Sequence, residues 1–219
     1  TFRDAGGLWD KYPVEQVATP EGYARNPELV INFYNERRKQ LLDVVPNAGH
    51  LGVADLERDF NVTVVTQNVD NLHERAGSTH VIHLHGELTK VCSSRDPYNP
   101  HFVKELAPEE YEVKLGDKAG DGTQLRPFIV WFGESVPEIE TAIRYVEQAD
   151  IFVIIGTSLN VYPAAGLLNY VPRAAEVYLI DPKPVDTHVM RPIHVIQKGA
   201  SEGVKELKAL LTVTQPPLP

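Results

Sequence analysis

The chain carries a single cysteine, Cys92, and one thiol can neither close an intrachain disulfide nor furnish a zinc site by itself. A reducing compartment follows, and cytoplasm is the expected location. Long apolar runs are also missing: Phe128–Phe132 and Ile151–Ile155 are the strongest hydrophobic stretches, far short of the ~20 residues that a bilayer-crossing helix needs. No membrane span is expected. Positive charge is in deficit, with 21 Lys plus Arg against 30 Asp plus Glu and a formal net charge of -9. Such a chain repels a polyphosphate backbone at long range, so nucleic acid is not an expected partner. A cationic peptide is the better electrostatic match.

What is present suits a folding chain, with 42% hydrophobic and 23% charged residues. Its 219 residues suffice for one buried core and a smaller lobe but hardly for two full domains. From Asn61 onward, short β-branched runs alternate with helix-like segments, which predicts an α/β fold with a parallel sheet wrapped by crossover helices. Strands are expected at Val62–Thr66, Val81–Leu84, Phe128–Trp131, Ile151–Ile155, Val177–Ile180 and His194–Ile196. Helices are expected at Pro46–Arg58, Pro137–Gln148, Pro163–Tyr170 and Ser201–Leu211. Ile151–Ile155 is apolar at every position, as a strand covered on both faces would be, and is expected at the centre of the sheet. Two stretches break the alternation: helical Thr19–Asp43, with its basic cluster Arg37, Arg38 and Lys39, and polar, turn-rich Cys92–Gly122. They are expected to form one small inserted lobe. There is no internal repeat, and the final QPPLP reads as a loose end. The opening TFRDAGGLW, with neither initiator Met nor signal peptide, reads as the start of a fragment that lacks its true N-terminus.

Three segments carry chemistry. In DIFVIIGTSLNVYPAAG a buried strand ends at Gly156 before a helix begins, the place where an open parallel sheet binds ligands and a glycine lets backbone amides approach a phosphate or ribose. Asp181 closes the next strand, VYLI, at the spacing where a dinucleotide-binding acid accepts a ribose hydroxyl, which favours NAD over NADP. A plain strand end with a turn aspartate would look the same. In VTVVTQNVDNLHERAG, Gln67, Asn68 and Asp70 follow directly on a strand; polar groups there need partners and suit a ligand, although Asn and Asp also make ordinary turns. In VIHLHG, His83 and His85 would share a strand face, the spacing of some zinc ligands. No third ligand has an obvious spacing, and one such histidine is more often packed and hydrogen-bonded. His85, at the strand end before Gly86, is the better general base.

Taken in order, TFRDAGGLW, PNAGH, TQNVDNLHERAG, HLHG, RPFIVWFGE, GTSLNVYPAA and KGASEGVKEL resemble the sirtuins, NAD-dependent protein lysine deacylases, over nearly the whole chain. The resemblance implies a Rossmann-like large lobe and a small lobe made of two insertions, about 19–43 and 92–122, within one catalytic domain. It makes His85 the base and Asn68 a second catalytic residue, with Gln67, Asn68, Val69 and Asp70 lining the nicotinamide and ribose pocket. Phe2 and Arg3 match the family's cofactor-binding turn, and Gly156, Thr157, Ser158, Asp181 and Ala200 the ribose and adenine positions. The strand-like VWFGE, with Val130, Phe132, Gly133 and Glu134, matches the segment that pairs with a substrate peptide as an added strand. In the family's reaction the acyl oxygen attacks the ribose carbon and expels nicotinamide, giving an alkylimidate. His85 then helps deprotonate a ribose hydroxyl, and the products are free lysine, nicotinamide and acyl-ADP-ribose.

Tyr34 and Arg37 in INFYNERRKQ stand three apart on one helical face, a Y-x-x-R arrangement resembling that of bacterial desuccinylase/deacetylase sirtuins. Arg37 would read an acyl carboxylate through two parallel hydrogen bonds, and Ala18 matches the small residue that leaves room for the longer acyl chain. A solvated basic helix face is the competing reading. Other departures are informative. Many sirtuins hold the small lobe with two zinc-binding C-x-x-C pairs, whereas Cys92 is followed by Ser93, Ser94 and Arg95, so no zinc is expected. Asp181 replaces a common asparagine, and the family's glycine-rich G-A-G-x-S segment should precede Thr1. Mono-ADP-ribosyl transfer to protein, a non-catalytic NAD or ADP-ribose binding module, and a metal hydrolase are the alternative readings.

Overall fold

The structure is a computed structural model that describes residues 11–156, 164–185 and 191–213. Along the chain come helices α1 (Val14–Val17), α2 (Pro20–Arg25), α3 (Pro27–Leu41) and α4 (Ala48–Asp55), strand β1 (Val64–Thr66), helix α5 (Leu72–Ala76), and strands β2 (Val81–His83), β3 (Gly86–Ser93), β4 (Lys104–Glu105) and β5 (Leu125–Ile129). There follow α6 (Ile139–Val146), β6 (Ile151–Ile155), α7 (Ala164–Leu167), β7 (Glu176–Ile180), β8 (His194–Ile196) and α8 (Ala200–Val213). The chain divides into two compact units: Thr1–Val44, Asn68–Asn71 and His83–Pro137 form the first, and Val45–Gln67, Leu72–Ile82 and Glu138–Pro219 the second.

In the first unit, local signals set the helix starts. Thr19 and Asn26 accept hydrogen bonds from Gly22 N and Leu29 N at 2.9 and 3.2 Å, capping α2 and α3, while Pro20 and Pro27 occupy first-turn positions where no N–H is missed. Against α3 lies an antiparallel sheet of order β4-β3-β5, with Val91 opposite Pro127 and Cys92 opposite Arg126. Val17, Ala18, Val30, Phe33, Tyr34, Leu88, Ile129 and Trp131 form one buried cluster. Ile31, Val91, Leu106, Val113, Ala119 and Leu125 form another, so the polar stretch after Cys92 does contribute a small core.

The second unit is an α/β assembly in which β6, β7 and β8 pair in parallel, Ile151 opposite Glu176 and Ile180 opposite Ile196. Helix α4 opens on a reciprocal cap, Asn47 Oδ1 accepting from His50 N at 3.0 Å while His50 Nδ1 accepts from Asn47 N at 3.1 Å. Helix α8 lays Val204, Leu207 and Leu211 against Tyr178, Ile180 and Ile196, each such side chain contributing about 1.5–3 kcal/mol on burial. The architecture is the Rossmann-like α/β arrangement of parallel strands and flanking helices that was expected, and no described helix is long and apolar enough to cross a membrane.

Several expected boundaries change. Among the described residues, β6 pairs only with β7, and the middle of this sheet falls to Glu176–Ile180, whose last four residues are all buried. The strand expected at Phe128–Trp131 runs instead over Leu125–Ile129, because its partner is the antiparallel β3, which the sequence reading did not foresee. Strand β2 stops at His83, so His83 and His85 do not share a strand face; Leu84 and His85 form the turn into β3. Gly86 makes that turn feasible: its φ is +87°, and a Cβ there would lie 2.1 Å from Phe128 O.

Candidate active site

The first unit brings together Ala18, Tyr34, Arg37 and the Val130–Glu134 segment. Tyr34 sits at the bottom of the cluster, donating its hydroxyl proton to Val17 O at 2.9 Å and accepting from Trp131 Nε1–H at 3.0 Å. Burial pushes its phenol well above the ordinary tyrosine range. Ala18 is buried, and its carbonyl accepts from Phe132 N at 3.0 Å, tying the end of α1 to the segment beyond β5.

Arg37 and Arg38 are both 4% exposed, which excludes a solvated basic face, and they meet opposite fates. Arg38 is saturated: Nε donates to Tyr111 O at 2.7 Å, Nη2 to Asn35 Oδ1 at 2.6 Å and Nη1 to Leu88 O at 3.4 Å. Asn35 completes that fastening, its amide donating to Val113 O at 2.8 Å while its oxygen accepts from Val113 N at 2.9 Å. Arg37 instead places its guanidinium 4.6 Å over the Phe33 ring and donates from Nη2 to Glu36 Oε2 at 3.3 Å. Its Nε and Nη1 are buried with no hydrogen-bond partner among the described residues. Burial lowers its pKa, with Glu36, Tyr12 and Tyr34 opposing the shift. Buried donors left open cost stability unless a ligand engages them.

The Val130–Glu134 segment was read as strand-like, and the structure corrects this. Glu134 N donates to Trp131 O at 3.0 Å and Gly133 has φ +89°, so residues 131–134 make a tight turn. Val130 N is engaged by His85 O at 2.9 Å. Phe132 projects outward, 60% exposed. Glu134 turns inward: its carboxylate takes Arg126 Nη1 and Nη2 at 3.0 Å each, Tyr98 Oη–H at 3.0 Å and Trp131 N at 2.9 Å. Arg126 stacks 3.8 Å over the Trp131 ring and also donates to Ile129 O at 2.8 Å. Burial alone would raise the Glu134 carboxyl, but Arg126 holds it below the usual range. Glu134 shapes the turn through these contacts, joining Arg126 and Tyr98 to the backbone of Trp131. Sequence reading missed this clamp, since nothing in local pattern links Arg126 to Trp131.

The histidines separate by role. His83 is buried and donates from Nδ1 to Asn68 O at 3.0 Å, which fixes its tautomer, and its Nε2 lies 3.9 Å from Glu87 Oε1. His85 is half-buried in the turn between β2 and β3. Asn68, Val69 and Asp70 lie in the same unit, Val69 O accepting from Leu88 N at 2.8 Å, while Gln67 follows β1 in the second unit.

In the second unit the carboxyl ends of β6, β7 and β8 are in step. Gly156 N donates to Ile180 O at 3.1 Å and Asp181 N to Ile196 O at 3.2 Å, which sets Gly156 and Asp181 side by side on one sheet edge. Among the described residues, nothing lies within 4 Å of where a Cβ on Gly156 would be, as a backbone approach by a phosphate or ribose requires. Asp181 Oδ1 accepts from Lys183 N at 2.8 Å, the turn role weighed from sequence, with Oδ2 as the remaining acceptor. Ala200 begins α8. These residues fit a dinucleotide. Phe2, Arg3, Thr157 and Ser158 lie outside the described residues.

The residues around Cys92 do not fit zinc. Its thiol, the chain's single one, is fully buried, faces Pro127 O at 3.7 Å and is pushed up to about 12 by burial, and a structural zinc site needs four ligands. Beside it, Ser93 Oγ donates to Asp121 Oδ2 at 2.5 Å, pairs with Thr123 Oγ1 at 3.0 Å and accepts from Arg95 N and Asp96 N. Thr123 in turn donates to Asp121 Oδ1 at 2.7 Å. A hydrogen-bonded clasp thus joins Ser93 to the Asp121–Thr123 turn.

An α/β fold whose parallel strands end at Gly156 and Asp181 on one sheet edge has counterparts among solved structures. A Sir2 homologue in complex with NAD superposes with a TM-score of 0.80 at 36% identity, covering 97% of this chain and 83% of that one. The Sir2 family pattern matches residues 1–163. An NAD-dependent protein deacylase of Bacteroides thetaiotaomicron is 84% identical over 211 residues, covering 96% of this chain and 90% of the relative. One of Helicobacter pylori, named likewise, is 47% identical, covering 94% of this chain and 88% of the relative. The chain belongs to the Sir2 family.

Proposed function

We propose that this chain removes acidic acyl groups, succinyl and malonyl, as well as acetyl from protein lysines, with Arg37 as the reader of the acyl carboxylate. NAD-dependent protein deacylation itself follows from family membership and from relatives of up to 84% identity that bear that activity in their names. The chain is a sirtuin-type NAD-dependent protein deacylase. The same relatives give no support to ADP-ribosyl transfer or to a non-catalytic binding role.

The observation that carries the acyl preference is the contrast on α3. Arg38 is tied to three acceptors, whereas its neighbour Arg37, equally buried, has no partner for Nε or Nη1 among the described residues. A planar guanidinium in that state suits a carboxylate held by parallel hydrogen bonds, which an acetyl group cannot offer. The guanidinium lies 4.6 Å over the Phe33 ring, and Ala18, a small residue, would make room for the longer acyl chain. Tyr34, whose hydroxyl proton goes to Val17 O, would stand beside Arg37 as the other residue that meets the acyl group.

When bound, NAD supplies the electrophilic ribose carbon and the nicotinamide leaving group. The chain's own residues position the reaction: Gly156, Asp181 and Ala200 would hold the ribose and adenine end, with Gln67, Asn68, Val69 and Asp70 toward the nicotinamide ribose. His85 would take a proton from a ribose hydroxyl at a ring nitrogen. Val130, Phe132 and Gly133 would line the approach of the substrate peptide. We assign the small lobe to Thr19–Asp43 and Cys92–Gly122, and the working compartment to the cytoplasm on the strength of the lone thiol.

The test uses acetyl-, succinyl- and malonyl-lysine peptides with NAD, comparing wild type with Arg37→Met. Selective loss on the two acidic peptides, about 10–100-fold in kcat/KM relative to acetyl, is expected for the loss of a charged hydrogen-bonding partner. Equal loss on all three overturns the assignment.

A further inference from the structure

We infer that Glu36 is a specificity-determining residue of the acyl site, competing with an acidic acyl group for the Arg37 guanidinium; the inference rests on the reading of Arg37 given above. Consecutive helical residues do not normally face one another. Here the end of the Arg37 side chain reaches Glu36 Oε2 at 3.3 Å, the single described hydrogen bond that its guanidinium makes. The exposure of the two side chains is sharply unequal, 3% for Arg37 against 61% for Glu36. Glu36 therefore enters the pair from water and can return to water, whereas Arg37 cannot leave.

The atom that Glu36 occupies matters. A guanidinium presents two forks to a carboxylate, Nε with Nη2 and Nη1 with Nη2, and Nη2 is common to both. A carboxylate already on Nη2 leaves at most one fork whole, and its negative charge opposes the approach of a second. With an uncharged acyl group the Glu36 contact persists and keeps the buried cation balanced. With succinyl or malonyl, Glu36 must yield its place. The same pocket then serves both substrate classes, and Glu36 sets the balance toward the neutral one.

The experiment measures the kcat/KM ratio of succinyl- to acetyl-lysine peptide, and of malonyl to acetyl, for the full-length protein as wild type, Glu36→Gln, Glu36→Ala and Arg37→Met at saturating NAD. Removing the carboxylate is expected to raise both ratios about fivefold, in line with the modest worth of an ion pair having one exposed partner, with the change carried by KM. The alanine variant should match the glutamine one, showing that loss of charge is responsible. If both Glu36 variants leave the ratios unchanged or lower them while Arg37→Met abolishes the acidic preference, the inference falls and the reading of Arg37 stands. If Arg37→Met leaves the ratios unaltered, the reading of Arg37 fails and this inference with it.

Discussion

Replacing Glu134 by Gln should cost about 2–3 kcal/mol of stability. Removing one partner of a buried ion pair typically costs about 3–5 kcal/mol, because the surviving charge is left uncompensated. The lower figure is expected here for two reasons. Glu134 keeps 15% side-chain exposure, and Arg126 retains Ile129 O at 2.8 Å, Pro127 O at 3.3 Å and the face of Trp131. For a chain of this size the loss corresponds to a fall in Tm of about 4–12 °C. Urea unfolding followed by tryptophan fluorescence gives the free energy, and a cycle with Arg126→Met separates the pair from its surroundings. The double variant should recover part of the loss, with a coupling of about 1–3 kcal/mol. A Glu134→Gln protein within about 0.5 kcal/mol of wild type, or a strictly additive double variant, would refute the view that this pair builds the turn. The variant should also raise KM for peptide, since Phe132 and Gly133 ride on that turn.

Acid should act through the same pair. Because the Glu134 carboxyl is held below its ordinary value, about 4.3 when free, its contribution is complete above that pH and is lost as pH falls through the lowered folded value. A stability-versus-pH curve should accordingly drop more steeply in acid for wild type than for Glu134→Gln. Cys92, buried with its pKa pushed up to about 12, should resist maleimide at pH 8 in the native state and react only as urea unfolds the chain. Parity between native and unfolded labelling rates would contradict its burial. Gly86→Ala should abolish soluble folded protein, since a Cβ would lie 2.1 Å from Phe128 O at a φ of +87°; a circular dichroism spectrum and melt like those of wild type would count against it.

Much of the second unit was legible because its strands declare themselves. Ile151–Ile155 and His194–Ile196 were placed to the residue, being short β-branched or apolar runs between turn signals. The first unit was harder. GELTKVCS carries Glu, Thr and Lys among its apolar residues, and it becomes a strand through pairing with residues some 35 positions away, a partnership no local window contains. Missing it displaced the next strand as well, and left Val130–Glu134 looking extended instead of turned. The candidate site was legible in its components, but not in which components matter. Arg37 and Arg38 are chemically identical neighbours, and the acceptors Tyr111 O, Leu88 O and Asn35 Oδ1 decide that one is tied down while the other has two donors without a partner among the described residues.

On the proposed reading, four consecutive positions of α3 divide their labour: Asn35 and Arg38 fasten the chain, and Glu36 and Arg37 set the acyl preference. Position 36, whose side chain is 61% exposed, can then change with the acyl groups on offer while Asn35 and Arg38 stay in place to fasten the chain. Taste and framework, encoded within a single helical turn, can evolve without interfering.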